Sequence, residues 1–596
     1  MSTISPMKWY IYLPLVLFTA MDKKRLLTEK ELQELAEGMS FDSDCSDDSY
    51  ELSESETSDE SDIDDQSCYE ESEIDEETLE ENEVSDENEI QKENKAPENI
   101  EAPVENASCC NSFILWSKPE KNFVPKRQIS SKHTCKMASD IHANFSPYQC
   151  FRKLFPSSLL LYIAQCTNER IQIYKQSKRS ARLKETDAGE VEVVLGCMLV
   201  MCYNRVPQIS DYWSTHPSLG NISIQNAIAR DRFKMISSKL YFASPKKPAE
   251  YCKTYYIDDV VQCLKGTFQK CRQDSSFQSI DESMTKFKGR STLKQYMPLK
   301  PVKRGIKLWL RSDSFTGYTY DFNIYTGRET EHLEGTLGER VVNKLISTAR
   351  EKDITFCFDR FFTSTTLLQN TDYAAVGTCN PNRKYLPKIK EKLKRGEYLF
   401  QCSKDGLLFV KWQDTKEVLM LSNCHNTDIV SVKKTVKGGS KISVPCPQMV
   451  ASYREIMGGV DLADQMMGLY ELDRKSNKWW KKVFYRLLMM TVVNAWIIYK
   501  EKTRNKIPFL QFIVPLAEEM IKEGREKATV RRLSKTGRPS KKRQRLENVS
   551  LHLPEEGTTR RRCKRCAENK KQSRTKLMCK LCDIPLCLKC FAKYHN

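Results

Sequence analysis

The periodicity of the apolar residues changes at Ser276, and this change constrains the fold more than any other feature of the chain. Over 151–271 the apolar residues recur at helical spacing, which predicts a helical unit. Over 306–310 and 318–324 they alternate with polar residues, and a turn at 312–317 joins the two stretches into a β-hairpin. The chain must therefore combine a helical unit with a unit built around a sheet.

The segments after Ser276 predict one order of strands and helices. They are a strand over 277–280, the hairpin, a helix over 342–349, a strand over 354–358, a short helix from about Thr363 and a strand over 374–378. This order, β-β-β-α-β-α-β, is that of a ribonuclease H-like domain. The predicted fold class is therefore a multidomain α/β protein with a ribonuclease H-like domain at its centre.

Four aspartates stand where this fold would bring them together. Asp281 and Asp359 end predicted strands, and such ends converge on one edge of a parallel or mixed sheet. Asp461 follows two glycines at 458–459 and shares a predicted helix face with Asp464. Converging carboxylates repel one another unless cations neutralise them, and oxygen ligands select Mg²⁺ or Mn²⁺. A single Asp after a strand is more often a turn residue, so only the combination predicts a two-metal phosphoryl-transfer site.

The charge distribution indicates a polyanionic partner. Residues 41–90 hold 24 acidic side chains and no Lys or Arg, so the net charge of +16 becomes +40 on the rest of the chain. A body this basic suits nucleic acid or, less often, an anionic membrane surface; a merely soluble basic enzyme is the alternative. The acidic tract cannot bury enough apolar surface to fold, which predicts disorder from 41 to about 130.

A basic cluster over 531–545 predicts nuclear import and DNA contact. Residues 521–596 carry 23 Lys+Arg against 7 Asp+Glu. Gly537, Arg538 and Pro539 resemble the core of an AT-hook, whose Arg enters a narrow minor groove. The same residues serve equally as a nuclear localisation signal. The candidate DNA-binding residues are Arg531, Arg532, Arg538, Lys541, Lys542 and Arg543.

The last cysteines of the chain predict a zinc site. Three CxxC pairs followed by a histidine crowd into the C-terminus, namely Cys563 and Cys566, Cys579 and Cys582, Cys587 and Cys590, and His595. So short and charged a segment cannot build an apolar core and needs a metal to fold. The other cysteines are scattered without regular spacing, which is typical of a reducing compartment.

The N-terminus carries a twelve-residue apolar run at 9–20 that is much like the core of a signal peptide. The run is too short to span a bilayer, and no other stretch approaches a span, so no membrane association is expected. Met21 restarts the chain with a charged segment. We interpret residues 1–20 as a possible upstream extension or gene-model artefact.

Several segments closely resemble the piggyBac transposase family. They are IDESMTKFKGRSTLKQYMPLKPVKRGIKLW at 280–309, FDRFFTSTTLL at 358–368, VGTCNPNRK at 376–384, MGGVDLADQMMGLY at 457–470, and upstream DYWSTHP at 211–217 and RDRFKMISSKLYF at 230–242. The resemblance covers roughly 146–596. It implies that Asp281, Asp359 and Asp461 are the catalytic, metal-binding aspartates and that Asp464 is a nearby acid that the family also needs. Arg360 departs from the Asn that many members carry there.

The resemblance implies metal-dependent cut-and-paste transposition, with the ends of a transposon as substrate and integration at TTAA. Because paired ends must be cut in concert, a homodimer on double-stranded DNA is expected. The alternatives are a domesticated derivative that binds DNA without cutting it, and a zinc-finger adaptor or ubiquitin ligase. The last explains neither the aspartates nor the basic body.

The cysteine-rich segment resembles the cross-brace finger of the family, which takes two zinc ions and eight ligands. Seven candidate ligands are visible, and His552 is a possible eighth donor unless the second site is incomplete.

The predicted domain boundaries follow from these patterns. They are the possible extension (1–20), a disordered acidic region (21–130), a helical dimerisation and DNA-binding domain in two parts (135–275 and 470–525), the catalytic domain in two parts (276–385 and 447–469) with a β-rich insertion (386–446), a basic linker with a nuclear localisation signal (526–560), and the zinc finger (561–596).

Overall fold

The computed structural model describes residues 114–176, 183–298, 300–328, 334–435, 441–504, 506–529 and 552–595. The possible extension at 1–20 and the acidic tract up to 113 lie outside the described residues. So do the candidate DNA-binding residues Arg531, Arg532, Arg538, Lys541, Lys542 and Arg543. The roles predicted for these segments therefore stay predictions.

A group of helices precedes the central sheet. Its members are α1 (Pro147–Leu154), α2 (Ser157–Gln176), α3 (Ala188–Tyr203), α4 (Ile222–Ala227), α5 (Arg230–Lys239) and α6 (Asp258–Cys271), with a 3₁₀ turn at Ile209–Trp213. Helix α1 begins at a capping box, in which the side chains of Ser146 and Gln149 each accept a hydrogen bond from the other's backbone N–H. Helix α3 is buried on every side from Gly189 to Cys202, which explains its continuous apolar sequence.

Ten strands form the central sheet. They are β1 (Trp116–Ser117), β2 (Phe277–Lys286), β3 (Lys294–Tyr296), β4 (Arg304–Asp313), β5 (Thr319–Ile324), β6 (Thr355–Phe358), β7 (Ala374–Thr378), β8 (Tyr398–Ser403), β9 (Leu408–Gln413) and β10 (Glu417–Ser422). Helices α7 (Leu337–Ile346) and α8 (Thr365–Asn370) connect β5 to β6 and β6 to β7. The strands β5, β4, β2, β6 and β7 lie side by side in this order, with β2–β6 and β6–β7 parallel and the other pairs antiparallel. The predicted ribonuclease H-like order is confirmed.

The β-rich insertion widens this sheet. Strand β10 pairs antiparallel with β7, and β9 and β8 continue outward from it. Only β11 (Ile429–Thr435) and β12 (Lys441–Pro447) form a ribbon of their own. The first part of the insertion is therefore an extension of the central sheet.

The outermost strand comes from a segment that we expected to be disordered. Strand β1 pairs with β8, and the backbone N–H of Arg127 donates to the carbonyl of Asn423. Ser130 is buried and bonded to Asp353. The predicted end of the disordered region, at residue 130, is therefore too late. The composition of the segment before it does not reveal that it completes the edge of a sheet.

Four helices follow the sheet: α9 (Gln448–Ile456), α10 (Gly459–Leu469), α11 (Trp479–Thr503) and α12 (Phe509–Lys527). Helices α11 and α12 share one hydrophobic core with α1 to α6. Where α3 meets α12, a Cβ added to Gly189 would lie 2.7 Å from the carbonyl oxygen of Gly524, so the crossing requires glycine. The two parts predicted for the helical domain thus pack together. Among the described residues, we find no helix with the length and apolar character needed to cross a bilayer.

A buried ion network joins the helices to the sheet. Arg272, directly after α6, donates to Asp313 at 3.0 Å and to Glu501 of α11 at 2.9 and 3.1 Å, and it also bonds the hydroxyl of Tyr320. Arg272 and Asp313 are fully buried. Burial alone would raise the pKa of Asp313, but the hydrogen bond from His133 and the charge of Arg272 hold it below its usual range.

We expect Arg272→Met to destabilise the protein by about 3–5 kcal/mol, because the variant leaves the buried carboxylate of Asp313 without its cation. Arg230→Ala is the matched control, since Arg230 pairs with Asp231 on the surface and its loss should cost less than about 1 kcal/mol. Urea unfolding followed by tryptophan fluorescence measures both. Equal losses in the two variants would contradict the anchoring role.

Candidate active site and metal centre

Asp281 and Asp359 lie next to each other where the parallel pairing of β2 and β6 ends. The last residues in register are Ile280 and Phe358, and each aspartate follows one of them. Strand β2 itself continues to Lys286, paired only with β4. The prediction that a strand stops at Asp281 is therefore wrong, although the parallel pairing does stop there. Both side chains are half-buried at this edge.

Helix α10 carries Asp461 onto the same face of β2. The backbone N–H of Val460 donates to Ser279 Oγ at 3.2 Å, and Ser283 Oγ donates to Asp464 at 2.7 Å. Ser279, Asp281 and Ser283 alternate along the strand and so share one face. The first turn of α10, with Asp461 exposed on it, therefore lies along the face that presents Asp281.

Of the two glycines before Asp461, Gly459 serves close packing, whereas a Cβ added to Gly458 would meet nothing within 4 Å. A Cβ added to Gly459 would lie 2.5 Å from the carbonyl oxygen of Asp313 and 2.6 Å from Ser279 Oγ. The φ of Gly458 is an ordinary −75°, so neither a left-handed turn nor backbone freedom explains why glycine stands at this position. Gly459 is what lets α10 begin directly against the sheet.

The carboxylates at this edge disfavour each other's charge. Burial raises the pKa of Asp281 to about 7, and the negative charges of Glu282 and Asp359 add to this effect. Burial also raises the pKa of Asp359, with Glu282 contributing. A cation placed among these oxygens would relieve the repulsion, and an all-oxygen donor set of this kind fits Mg²⁺ or Mn²⁺.

Lys300 and Glu282, beside these carboxylates, were missed by the sequence reasoning. Lys300 Nζ lies 3.1 Å from Glu282 Oε1. Burial would lower the pKa of Lys300, but the negative charges of Asp281, Glu282 and Asp461 raise it. Glu282 could have been suspected because it adjoins Asp281. No local pattern marks Lys300, which reaches the site from the loop between β3 and β4.

Asp464 has a different environment from the other three aspartates. Arg486 of α11 donates to its carboxylate at 2.5 Å and to Ser283 Oγ at 3.1 Å. The Arg486 side chain is only 7% exposed. The structure thus supplies Asp464 with a cation of its own, which Asp281 and Asp359 lack among the described residues.

We expect Asp464→Asn and Arg486→Met to be coupled. Each single variant leaves one buried charge unpaired, whereas the double variant removes both, so the losses should be non-additive by about 1–3 kcal/mol. The surface pair Lys175 and Glu185 is the control, with an expected coupling of about 0.2–1 kcal/mol. Double-mutant cycles from chemical denaturation measure both couplings. A coupling of Asp464 and Arg486 no larger than the control would contradict the assignment.

The C-terminal segment brings together two groups of four metal-ligand atoms. Strands β13 (Pro554–Arg562), β14 (Arg574–Cys579) and β15 (Ile584–Pro585) and helices α13 (Lys564–Glu568) and α14 (Leu588–His595) form it. One group contains Cys563, Cys566, Cys587 and Cys590. The other contains His552, Cys579, Cys582 and His595. Within each group the ligand atoms lie within 4.8 Å of one another, and the two groups alternate along the chain.

His552 takes the place left open for an eighth donor. Its Nδ1 lies 3.3 Å from Cys579 Sγ and 3.2 Å from Cys582 Sγ. His595 Nδ1 donates to the carbonyl of Phe591 at 2.9 Å, which leaves Nε2 facing Cys582 Sγ at 3.6 Å. Thiolate and imidazole donors in groups of four suit tetrahedral zinc.

We expect the full chain to bind two zinc ions, one in each group. His552→Ala and Cys563→Ser should each remove or weaken one ion, and a chelator should remove both and unfold this segment. Cys252→Ser is the control, because Cys252 is an exposed thiol of the helical region. Elemental analysis counts the zinc. A His552→Ala variant that keeps two tightly bound ions would exclude His552 as a ligand.

The comparisons with known proteins place the chain among the transposases. The chain belongs to the piggyBac transposases: the family model described as Transposase IS4 matches residues 146–496, more than half of the chain, and the model described as DDE_Tnp_1-like zinc finger matches 551–596. The resemblance seen in the sequence motifs is confirmed.

Named relatives agree with this assignment. The human PiggyBac transposable element-derived protein 3 is 26% identical over 429 residues, 69% of this chain and 70% of the relative. The human PiggyBac transposable element-derived protein 2 is 27% identical over 405 residues, 64% of this chain and 67% of the relative. The fold is similar to that of a piggyBac transposase solved by cryo-electron microscopy as a synaptic complex with hairpin DNA. That similarity has a TM-score of 0.62 at 23% identity and covers 77% of this chain and 98% of that chain.

Proposed function

We propose that the protein cuts and joins DNA at the ends of a transposon and integrates them at TTAA. One observation carries the proposal: Asp281 and Asp359 follow the last register pair of two parallel strands, and α10 lays Asp461 along the same face. Family membership supports it. Hydrolytic nicking, hairpin formation by the freed 3′-hydroxyl, hairpin opening and target joining each break one P–O bond and form another, so one site suffices for all.

In this proposal the three aspartates hold Mg²⁺ or Mn²⁺ and Asp464 does not. When bound, the metal ions activate water or a 3′-hydroxyl and stabilise the leaving oxygen. Lys300, fixed by Glu282, places a positive charge at the rim where a phosphate would enter. Arg486 fixes Asp464 and thereby the turn of α10 that carries Asp461.

The partner in this proposal is double-stranded DNA, bound by a homodimer in the nucleus. The basic body and the helical core support DNA binding, and the solved relative is a complex with hairpin DNA. The basic cluster at 531–545 supports nuclear import. Size-exclusion chromatography with light scattering on DNA ends tests the dimer.

We expect Asp281→Asn, Asp359→Asn and Asp461→Asn each to lower DNA nicking by at least about a thousandfold, about 4 kcal/mol of barrier, while DNA binding stays nearly intact. The reason is that each variant removes one charged oxygen ligand from the metals. Asp405→Asn, an exposed carboxylate in the turn after β8, is the control and should cut normally. A cleavage assay with Mn²⁺ and matching terminal repeats measures the rates. Substantial cutting by any of the three variants would remove that residue from the site.

The second candidate function is DNA binding without cleavage by a domesticated derivative. It is favoured by the names of the curated relatives, which are transposable element-derived proteins. The same assay separates the two, because the second candidate predicts binding of ends by the unaltered protein and no Mn²⁺-dependent nicking.

A further inference from the structure

We propose that residues 384–395, which we name the lysine strap, form a track for the sugar–phosphate backbone of duplex DNA beside the acidic edge. The strap carries six basic residues and one acid: Lys384, Lys388, Lys390, Lys392, Lys394, Arg395 and Glu391. The site it serves rests on the proposed function. The track itself is an additional, sequence-independent contact that neither the motifs nor the catalytic aspartates require.

The strap is fixed to the sheet although it has no helix or strand of its own. Trp116 Nε1 donates to the carbonyl of Tyr385 at 2.7 Å, and Lys411 Nζ donates to the carbonyl of Ile389 at 3.2 Å. The N–H of Gly396 donates to the carbonyl of Gln413 at 2.8 Å. Leu386 and Ile389 pack against the sheet's hydrophobic cluster. Cations on a fixed backbone lose less conformational freedom on binding than cations on a mobile tail.

The lysines of the strap point outward at every second position. Lys388, Lys390, Lys392 and Lys394 are exposed; of the residues between them, Ile389 and Leu393 are half-buried and Glu391 is exposed. Residues two apart in an extended segment lie on the same side, about 6–7 Å from one to the next, so this spacing favours a single row of ammonium groups. A row of regularly spaced cations suits the regularly spaced phosphates of a nucleic acid strand better than it suits an isolated anion.

The protein does not neutralise these charges itself. None of the four lysines has an ion-pair partner among the described residues. Two of the acids nearby pair with other cations, Asp414 with Arg395, Lys434 and Arg454, and Glu417 with Lys411. Glu397 accepts a hydrogen bond from the backbone N–H of Lys394, and Glu391 offsets one of the positive charges of the strap. A row of unpaired lysines on a folded surface is therefore available to an external polyanion.

The start of the strap adjoins the candidate active site. Arg383, the residue before it, donates to the carbonyl oxygens of Arg360 and Phe361, in the turn directly after Asp359. DNA whose reacting phosphate lies at Asp359 could therefore continue along the strap. This placement distinguishes the strap from basic residues elsewhere on the surface.

The test is the salt dependence of DNA binding by the full chain. The variant carries Lys388→Gln, Lys390→Gln, Lys392→Gln and Lys394→Gln, and the probe is a random-sequence duplex of about 30 base pairs, long enough to cover several phosphate contacts. If each lysine contacts one phosphate, the slope of log affinity against log salt should become shallower by about 3–4, since each lost contact changes it by roughly 0.9. Binding should weaken equally on probes of different sequence.

The control carries Lys344→Gln, Lys352→Gln, Lys404→Gln and Lys416→Gln, four exposed lysines of the same domain that are not in the strap. An unchanged melting temperature shows that both variants fold. An equal slope change in the control, or an unchanged slope in the strap variant, would overturn the proposal. So would a strap variant that binds DNA normally but loses affinity for a peptide of residues 41–90, since the strap's ligand would then be that acidic tract. Because binding needs no cleavage, a protein that never cuts would refute the proposed function and leave this test intact.

Discussion

The guanidinium of Arg272 connects the two halves of the described structure. It is fully buried and bonds Asp313 at the end of β4 and Glu501 of α11, so one ion network joins the helical core to the central sheet. Asp313 also accepts hydrogen bonds from the N–H groups of Phe315 and Thr316, which fixes the turn before β5. Since Gly459 packs against the carbonyl of Asp313, the same network determines where α10 begins. The position of Asp461 thus depends on a contact far from its own carboxylate.

The acidic edge is built so that its charges are only partly compensated within the protein. Arg486 neutralises Asp464, and Lys300 pairs with Glu282. Asp281 and Asp359 have no arginine or lysine bonded to them among the described residues, and burial raises the pKa of both. A protein that only needed a stable sheet edge would gain from replacing these carboxylates with neutral residues. The uncompensated pair is better explained by an external cation.

Much of the sheet could be predicted from sequence because its signals are local. The alternation over 306–324 and the apolar run ending at Phe358 mark strands without reference to the rest of the chain. The length of β2 could not be predicted. The strand continues beyond Asp281 over polar residues, and only its pairing with β4 keeps these residues in the strand. Arg486 and Lys300 were missed for the same reason. Their roles arise from contacts across 18 or more residues, and no spacing rule encodes such contacts.

The β-rich insertion extends the central sheet and carries the lysine strap with it. Strand β10 pairs with β7, and β9 and β8 follow it, so the sheet that contains β6 and leads to Asp359 continues without a break into the insertion. The chain that crosses from β7 to β8 must then pass along the widened sheet, and Trp116 and Lys411 hold it there. If the insertion were a separate module, the distance between the lysine strap and the carboxylates of the acidic edge would not be fixed by the sheet. Because β8 to β10 belong to the same sheet, the lysine strap has a fixed position relative to the acidic edge, as the proposed DNA track requires.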